Sequence, residues 1–393
     1  MATIKTSGKG RRWLQGGHPW LYADDIAAGQ AQPGELVPVF DPNDHPLGWG
    51  LFSSASRIAV RMATRSAEQP NRAFWAERIQ RAVARRERDG LLEPGRACRL
   101  LGGDAERLPG FVVDRYAGLL VVQSGCQGSD RMRDFLLELL VEALPFEPEA
   151  ILDRSDTAVR RFESLEPRVE WLSGGPLEEV EVTDDDGLVF AVDPVGGHKT
   201  GHYLDQRENR RRAAEQSKGR TVLDVFSYDG LFGIQAARAG ATSVLCLDQS
   251  APAGERMARN AERNGVADRV RFEKANAMRD LRARAEAGER YGTVIVDPPA
   301  FARNKREAEG AARGYRELNL RALGLVESGG TLVSASCSYN VSSAEFVAYL
   351  SQAARDAGRD VYLEALHGAP ADHPVLLGLP ESSYLKCAFL RVE

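Results

Sequence analysis

Two segments in the C-terminal third of the chain carry side chains that could act together in chemistry. Asp297 follows the apolar run Thr293–Val296 and precedes two prolines, and Phe301 comes soon after them. β-Branched runs are typical of buried strands, and proline lacks the N–H that would extend one, so the chain should leave a sheet at Asp297. Cys337 closes a second apolar run at 331–336. A carboxylate and a ring at a strand end could hold a planar, hydrogen-bonding base.

The thiol and the carboxylate would face one crevice if their strands were neighbours, because parallel strands open at the same edge of a sheet. A thiolate that adds to C6 of cytosine makes C5 nucleophilic enough to accept a methyl group. A carboxylate can hold the ring and favour the protonated adduct. The pair therefore predicts methylation of a cytosine carbon. Taken alone, Cys337 is more typical of a small core side chain. Asp297 with its two prolines indicates a simple turn as readily as a base-binding site.

The composition indicates an ordinary globular protein. The chain has 393 residues, of which 43% are hydrophobic and 27% charged, with a net charge of −5. Its five cysteines form no Cys-x-x-Cys pair, which argues against a disulfide framework or a structural metal and favours a reducing, cytoplasmic location. We find no secretory signal or membrane-spanning run and expect no membrane partner. Basic residues gather in Lys5–Arg12, Arg72–Arg88, Arg207–Arg220 and Arg303–Arg316.

Three regions follow from the pattern of apolar residues. Residues 1–68 alternate short strands with turns and predict a small all-β domain. Residues 70–190, beginning with a helix capped by Asn71, predict a central α+β domain. Residues 195–393 alternate strands and helices, which predicts a doubly wound α/β sheet. The strands of that sheet are expected at 221–226, 243–248, 270–274, 293–297, 331–336, 361–366 and 384–392.

The first strand–loop–helix of the last region, residues 222–233, predicts a ligand loop. The loop has neither Gly-x-Gly-x-x-Gly nor Gly-Lys-Ser/Thr, so a dinucleotide or nucleoside triphosphate cradle is poorly supported. Gly230 and Gly233 would let the backbone approach a ligand. Asp248 ends the next strand and could accept both hydroxyls of a ribose. Asp248 or Ser250 could also cap the helix that starts at Ala251. Asn276 follows the third strand, where it could meet an adenine edge.

In combination these motifs resemble the large-subunit ribosomal RNA methyltransferase I family over nearly the whole chain. The matching segments are Gly197–Arg210, Asp224–Gly230, Asp297–Phe301, Gly314–Asn319, Ser336–Ser338, Arg107–Tyr116, Ala371–Pro374 and Tyr384–Lys386. The resemblance implies an N-terminal PUA domain, a central α+β domain and a C-terminal class I S-adenosylmethionine (SAM) methyltransferase of Rossmann-like fold. It implies SAM as co-substrate, no metal, and C5 of a cytosine in 23S ribosomal RNA or a large-subunit precursor as the methylated atom.

The resemblance also implies roles for individual residues. Cys337 resembles the family's nucleophile, Asp297 its base-facing acid and Asp248 its ribose ligand. The other residues expected at the cofactor are Phe226, Ser227, Tyr228, Gly230, Asn276, Gln206 and Arg207. Asn276 stands where such enzymes usually carry an acid.

Other functions remain open at this stage. One is transfer to a base nitrogen, for instance of guanine, with Asp297 active and Cys337 structural. Another is a non-catalytic RNA-binding assembly factor, and a nicotinamide oxidoreductase is disfavoured by the missing glycines. The residues do not decide between monomer and homodimer, nor between naked RNA and an assembled subunit, and they identify no base for the C5 proton.

Overall fold

The computed structural model describes residues 2–301 and 308–393, which form two compact units. The first unit contains the residues up to Asp185 together with Val192–Leu204 and Ala371–Ser382. The second contains Asp186–Ala191, Asp205–Pro370 and Ser383–Glu393. The finer division at 1–68, 70–190 and 195–393 stays a prediction. Of the basic segment Arg303–Arg316, the residues before 308 lie outside the described part.

The first unit contains two sheets. The first sheet has the order β2-β6-β5-β4-β1-β3 and consists of β1 (Ile4–Thr6), β2 (Trp20–Tyr22), β3 (Ile26–Ala28), β4 (Leu36–Phe40), β5 (Pro46–Phe52) and β6 (Ile58–Thr64). The second has the order β11-β10-β9-β8-β7 and consists of β7 (Ala97–Gly102), β8 (Phe111–Tyr116), β9 (Leu119–Ser124), β10 (Ala150–Ser155) and β11 (Arg168–Ser173).

The helices of the first unit pack on these sheets. They are α1 (Gly8–Gln15), α2 (Arg72–Arg88), α3 (Gln127–Ala143) and α4 (Val159–Phe162). Asn71 caps α2 as its sequence position predicts, because its side chain accepts a hydrogen bond from the Phe74 N–H at 3.0 Å. Two short strands, β12 (Val180–Thr183) and β13 (Val189–Val192), lie where the chain passes between the units.

The second unit alternates strands and helices around one sheet. Its helices are α5 (Arg207–Gln216), α6 (Leu231–Arg238), α7 (Ala251–Arg263), α8 (Ala277–Glu286), α9 (Ala308–Leu323) and α10 (Ser343–Ala357). Its strands are β14 (Thr221–Val225), β15 (Ser243–Asp248), β16 (Val270–Lys274), β17 (Tyr291–Val296), β18 (Val326–Ser336), β19 (Val361–His367) and β20 (Lys386–Val392).

The order of this sheet is β16-β15-β14-β17-β18-β20-β19, with β14 to β18 parallel and β20 antiparallel to both of its neighbours. The order reverses at β14, which pairs with β15 on one side and β17 on the other. Helices cover the sheet, so its central strands are apolar on both faces, and Val294, Val296 and Leu332 are fully buried. The predicted fold, a doubly wound α/β sheet preceded by an all-β module and an α+β region, is confirmed.

All seven strands predicted for this sheet are present. β16 has the predicted bounds, whereas β18 begins at Val326, five residues before the predicted start at 331. β17 ends at Val296, so Asp297 is the first residue beyond the ladder. Among the described helices, none is both long and apolar enough to cross a membrane.

Candidate active site

The carboxyl ends of β14, β15 and β17 meet at the point where the strand order reverses. Val225 of β14 pairs with Leu247 of β15 and with Val296 of β17, so the three strands end almost level. Ligands of open α/β sheets bind outside such a switch point. The loop after β14, Asp248 and Asp297 all leave the sheet there.

The loop Phe226–Gly230 has an unusual backbone. Phe226 and Tyr228 have φ angles of 63° and 51°, and Gly230 has 78°. A left-handed conformation is uncommon for residues other than glycine and costs on the order of 1–3 kcal/mol each. Hydrogen bonds hold the loop in this shape, from the Ser227 N–H to the Leu247 carbonyl at 3.0 Å and from the Gly230 N–H to the Ser227 carbonyl at 2.8 Å. Such imposed strain is a common property of ligand-binding loops.

Asp248 connects this loop with the next helix. Its Oδ2 accepts a hydrogen bond from the Tyr228 N–H at 3.0 Å, and its Oδ1 accepts one from the Ser250 N–H at 2.9 Å. Ser250, and not Asp248, caps α7 through the Ala253 N–H. Since a carboxylate has about four lone-pair sites, Asp248 can still accept the hydroxyls of a ribose.

The two glycines of this motif have a packing reason that the sequence does not reveal. A Cβ on Gly230 would lie 2.2 Å from Met257 Cγ, and a Cβ on Gly233 would lie 2.7 Å from both Cys246 Sγ and Val244 Cγ1. Helix α6 therefore starts so close to β15 and α7 that side chains do not fit. Contacts inside the protein are therefore enough to explain why Gly230 and Gly233 carry no side chain.

Asp224, within β14, is a buried acid for which the sequence predicted no role. It is 1% exposed, and its Oδ2 accepts the Gly233 N–H at 3.0 Å. Burial, with the added charges of Asp297, Asp248 and Asp229, raises the pKa of Asp224 from 3.8 to about 7, although the Gly233 hydrogen bond opposes this. The carboxylates at this sheet edge thus interact electrostatically. An acid inside an otherwise apolar strand was the signal that could have identified it.

Asp297 is held by a chain of amides. Gln206 Nε2 donates to Asp297 Oδ2 at 3.0 Å, and Asn209 Nδ2 donates to Gln206 Oε1 at 2.7 Å and to the Gly368 carbonyl at 3.1 Å. The structure therefore brings Gln206, predicted at the cofactor, directly to the predicted acid. Arg207 is buried as the first residue of α5.

Asn276 caps a helix at the surface. Its Oδ1 accepts the Arg279 N–H at 3.2 Å at the start of α8, and the residue is exposed. It follows β16 closely, as predicted, at the carboxyl end of the sheet. Its amide N–H groups can still donate to an adenine edge.

Cys337 directly follows β18 and is half-buried, whereas Cys98, Cys126, Cys246 and Cys387 are buried. Because β17 and β18 are parallel neighbours, with Val296 opposite Ser334, Cys337 and Asp297 leave adjacent strands at the same edge. The predicted proximity of these two strand ends is therefore present in the fold.

Tyr315 on α9 joins the two predicted motifs. Its hydroxyl lies 2.8 Å from Ser336 Oγ and 3.0 Å from Ser338 Oγ, the residues on either side of Cys337. Its ring lies 4.7 Å from that of Phe301, which closes the Asp-Pro-Pro-Ala-Phe segment. Burial raises the pKa of Tyr315, so the phenol stays neutral. Sequence analysis quoted Gly314–Asn319 as a motif but gave Tyr315 no role.

The described residues contain no group of three or more His, Cys, Asp or Glu side chains placed to hold a metal ion. The arrangement is instead one of a strained loop, several carboxylates and a thiol at one sheet edge.

Comparisons with known proteins identify both a methyltransferase and a PUA-like domain in the chain. A model of the S-adenosylmethionine-dependent methyltransferase family matches residues 153–380, and a model of the PUA-like domain matches residues 4–65. A protein of Shewanella denitrificans named ribosomal RNA large subunit methyltransferase I is 40% identical over 99% of each chain. One of the same name from Photobacterium profundum is 37% identical over 96% of each chain.

Solved structures show the same fold. The crystal structure of SMU.776 complexed with SAH covers 100% of both chains at a TM-score of 0.87 and 19% identity. A SAM-dependent methyltransferase from Streptococcus mutans covers both chains fully at a TM-score of 0.85 and 18% identity. With the full-length relatives and the two family models, it follows that the chain is a SAM-dependent methyltransferase and belongs to the ribosomal RNA large subunit methyltransferase I family.

Proposed function

We propose that this enzyme methylates C5 of a cytosine in 23S ribosomal RNA, by way of a covalent bond between Cys337 and C6 of the base. The observation that carries this proposal is the position of Cys337, half-buried at the end of β18 and beside the strand that ends at Asp297. The name of the full-length relatives supports ribosomal RNA as substrate, and the PUA-like match supports binding of RNA.

The charge of the sheet edge suits SAM. SAM carries a cationic sulfonium and an ammonium group, and Asp248 and Asp297, whose charges help to raise the pKa of Asp224, give the sheet edge a negative potential. Asp248 would hold the ribose, and Asn276 would meet the adenine. The residues that would surround the methionine part are Phe226, Ser227, Tyr228 and Gly230, with Gln206 and Arg207 from α5 and the turn before it. When bound, SAM supplies the methyl group as an electrophile.

The reaction on the base would use Cys337 and Asp297. The Cys337 thiolate would form a bond to C6, and the C5–C6 π electrons would form the bond from C5 to the methyl carbon. The bond between that carbon and the sulfonium sulfur would break, and its electron pair would stay on the sulfur. Asp297 accepts a hydrogen bond from the cytosine amino group and favours the protonated adduct, while Gln206 keeps its carboxylate oriented. Loss of the C5 proton to a base then restores the C5–C6 double bond and releases the thiolate.

A covalent trap tests this mechanism. RNA containing 5-fluorocytosine at the modified position should form a denaturation-resistant adduct with wild-type enzyme and SAM, because fluorine at C5 does not leave as a proton does. Peptide mass spectrometry should locate the adduct on Cys337. Cys337→Ala should form no adduct and no methylated product, yet still bind SAM in calorimetry.

Cys387→Ala is the matched control, since Cys387 is a buried thiol on the adjacent strand β20. It should retain adduct formation and methylation. Methylation by Cys337→Ala, or an adduct on another residue, would refute the proposed nucleophile. An N-methylated guanosine product would instead favour the alternative in which Asp297 acts and Cys337 is structural.

A further inference from the structure

Lys386 is a buried lysine beside the strand end that carries Cys337. It is 2% exposed, and it lies on β20 opposite Ser336, the last residue of β18. Its Nζ donates hydrogen bonds to the Ser338 carbonyl at 2.6 Å and to the Tyr384 carbonyl at 2.8 Å. An ammonium thus holds the backbone on the far side of Cys337.

Burying this ammonium is unfavourable by itself. Both hydrogen-bond acceptors are neutral carbonyls, and burial lowers the pKa of Lys386 from 10.5 to about 8. Negative charge on Cys337 and on Glu345 acts in the opposite direction and raises that pKa. Charge interactions are reciprocal, so the ammonium must favour a thiolate at Cys337 as the thiolate favours the ammonium.

Three other described groups near Cys337 or Lys386 are neutral or acidic. Tyr315 on α9 contacts the serines on both sides of Cys337 and is neutral. Asp297 after β17 and Glu345 on α10 are acids, which disfavour a second negative charge. Lys386 is a cation among these groups, and its hydrogen bond to the Ser338 carbonyl holds it at the backbone next to Cys337.

We propose that Lys386 is a positioning residue for Cys337: it fixes the Ser338 carbonyl, and its charge favours the thiolate form of the cysteine. The inference deepens the proposed function, on which it rests in so far as a thiolate is needed to attack the base. It gives a role to Lys386 of the Tyr384–Lys386 segment, for which the sequence alone predicts none.

Alkylation of Cys337 by iodoacetamide tests this without RNA or SAM. The other four cysteines are buried, so peptide mass spectrometry of the folded enzyme can follow Cys337 alone as pH is varied. Lys386→Gln keeps a hydrogen-bond donor for the carbonyls but removes the charge. It should move the midpoint of the alkylation profile upward by about one pH unit or more, which lowers the rate roughly tenfold below both midpoints.

Three further variants make the result decisive. Lys386→Arg retains the charge and should keep its midpoint within about half a pH unit of wild type, a fraction of the shift expected from losing a nearby cation. Lys274→Gln, at the exposed end of β16, should leave the profile unchanged. If Lys386→Gln or Lys386→Met, whichever is folded by circular dichroism, alkylates with the wild-type midpoint, the inference is wrong. If the methylation assay gives an N-methylated guanosine, the proposed function is wrong, but the alkylation profiles still report the effect of the Lys386 charge on Cys337.

Discussion

Replacing Asp224 by asparagine should change how the stability of the second unit depends on pH. The pKa of Asp224 is raised from 3.8 to about 7, so between these values the folded protein holds a proton that the unfolded chain has released. Stability must therefore fall as pH rises through this window, and the loss is complete above about pH 7. Asparagine resembles the neutral acid in shape and can still accept the Gly233 N–H, but it does not titrate.

The size of the effect follows from the shift. About two pKa units separate pH 5 from the raised value, and each corresponds to about 1.4 kcal/mol. The free energy of unfolding of Asp224→Asn should therefore exceed that of wild type by about 3 kcal/mol more at about pH 8 than at about pH 5. Both proteins contain the same six histidines, so the comparison cancels their contribution.

The two units can be followed separately in urea. All five tryptophans lie before Asp185, so their fluorescence reports the first unit and should be the same in both proteins. A short pulse of hydrogen exchange, with mass spectrometry of peptides from β14 and β15, reports the second unit. Asp268→Asn, which changes a largely exposed carboxylate, is the control and should behave as wild type. If Asp224→Asn and wild type show the same pH dependence in β14 and β15, the raised pKa is refuted.

The remaining predictions concern the cofactor loop and the cysteine turn. Gly230→Ala should destabilise the second unit by more than Gly288→Ala does. Both glycines have a positive φ, but only a Cβ at Gly230 adds a clash, which is with Met257. Urea unfolding of both variants and SAM calorimetry check this, and equal losses of stability would contradict it. Asp248→Asn should weaken SAM binding about tenfold or more, the usual size of a lost hydrogen bond to a charged group, in the same calorimetric assay. Tyr315→Phe should lower the free energy of unfolding by about 1–3 kcal/mol, because it removes the hydrogen bonds to Ser336 and Ser338. It should also lower kcat while SAM affinity is unchanged. Full activity would show that the phenol does not position Cys337.

The sequence predicts those features that depend on local pattern. β-Branched runs and the proline pair located β17 and the exit of the chain at Asp297, and strand–helix alternation identified the doubly wound sheet. The parallel pairing that brings Cys337 to the same edge as Asp297 follows from that architecture. Asn71 shows that a cap with a side-chain acceptor can also be predicted correctly.

Features that depend on distant side chains could not be predicted in the same way. Lys386 reaches Ser338 across 48 positions of sequence, through an antiparallel pairing of β18 with β20 that no local pattern specifies. The packing reason for Gly230 requires knowing that α7 places Met257 against it. The choice of Ser250 over Asp248 as helix cap depends on a loop whose left-handed residues turn the Tyr228 N–H toward the carboxylate.

The most direct test of the central claim is to identify the methylated atom. Ribosomal RNA lacking its modifications is incubated with the enzyme and isotopically labelled SAM, digested to nucleosides and analysed by mass spectrometry. We predict labelled 5-methylcytidine at one position of the 23S RNA, and none with Cys337→Ala. Labelled N-methylguanosine without 5-methylcytidine would contradict the assignment of Cys337 as nucleophile and of carbon as the acceptor.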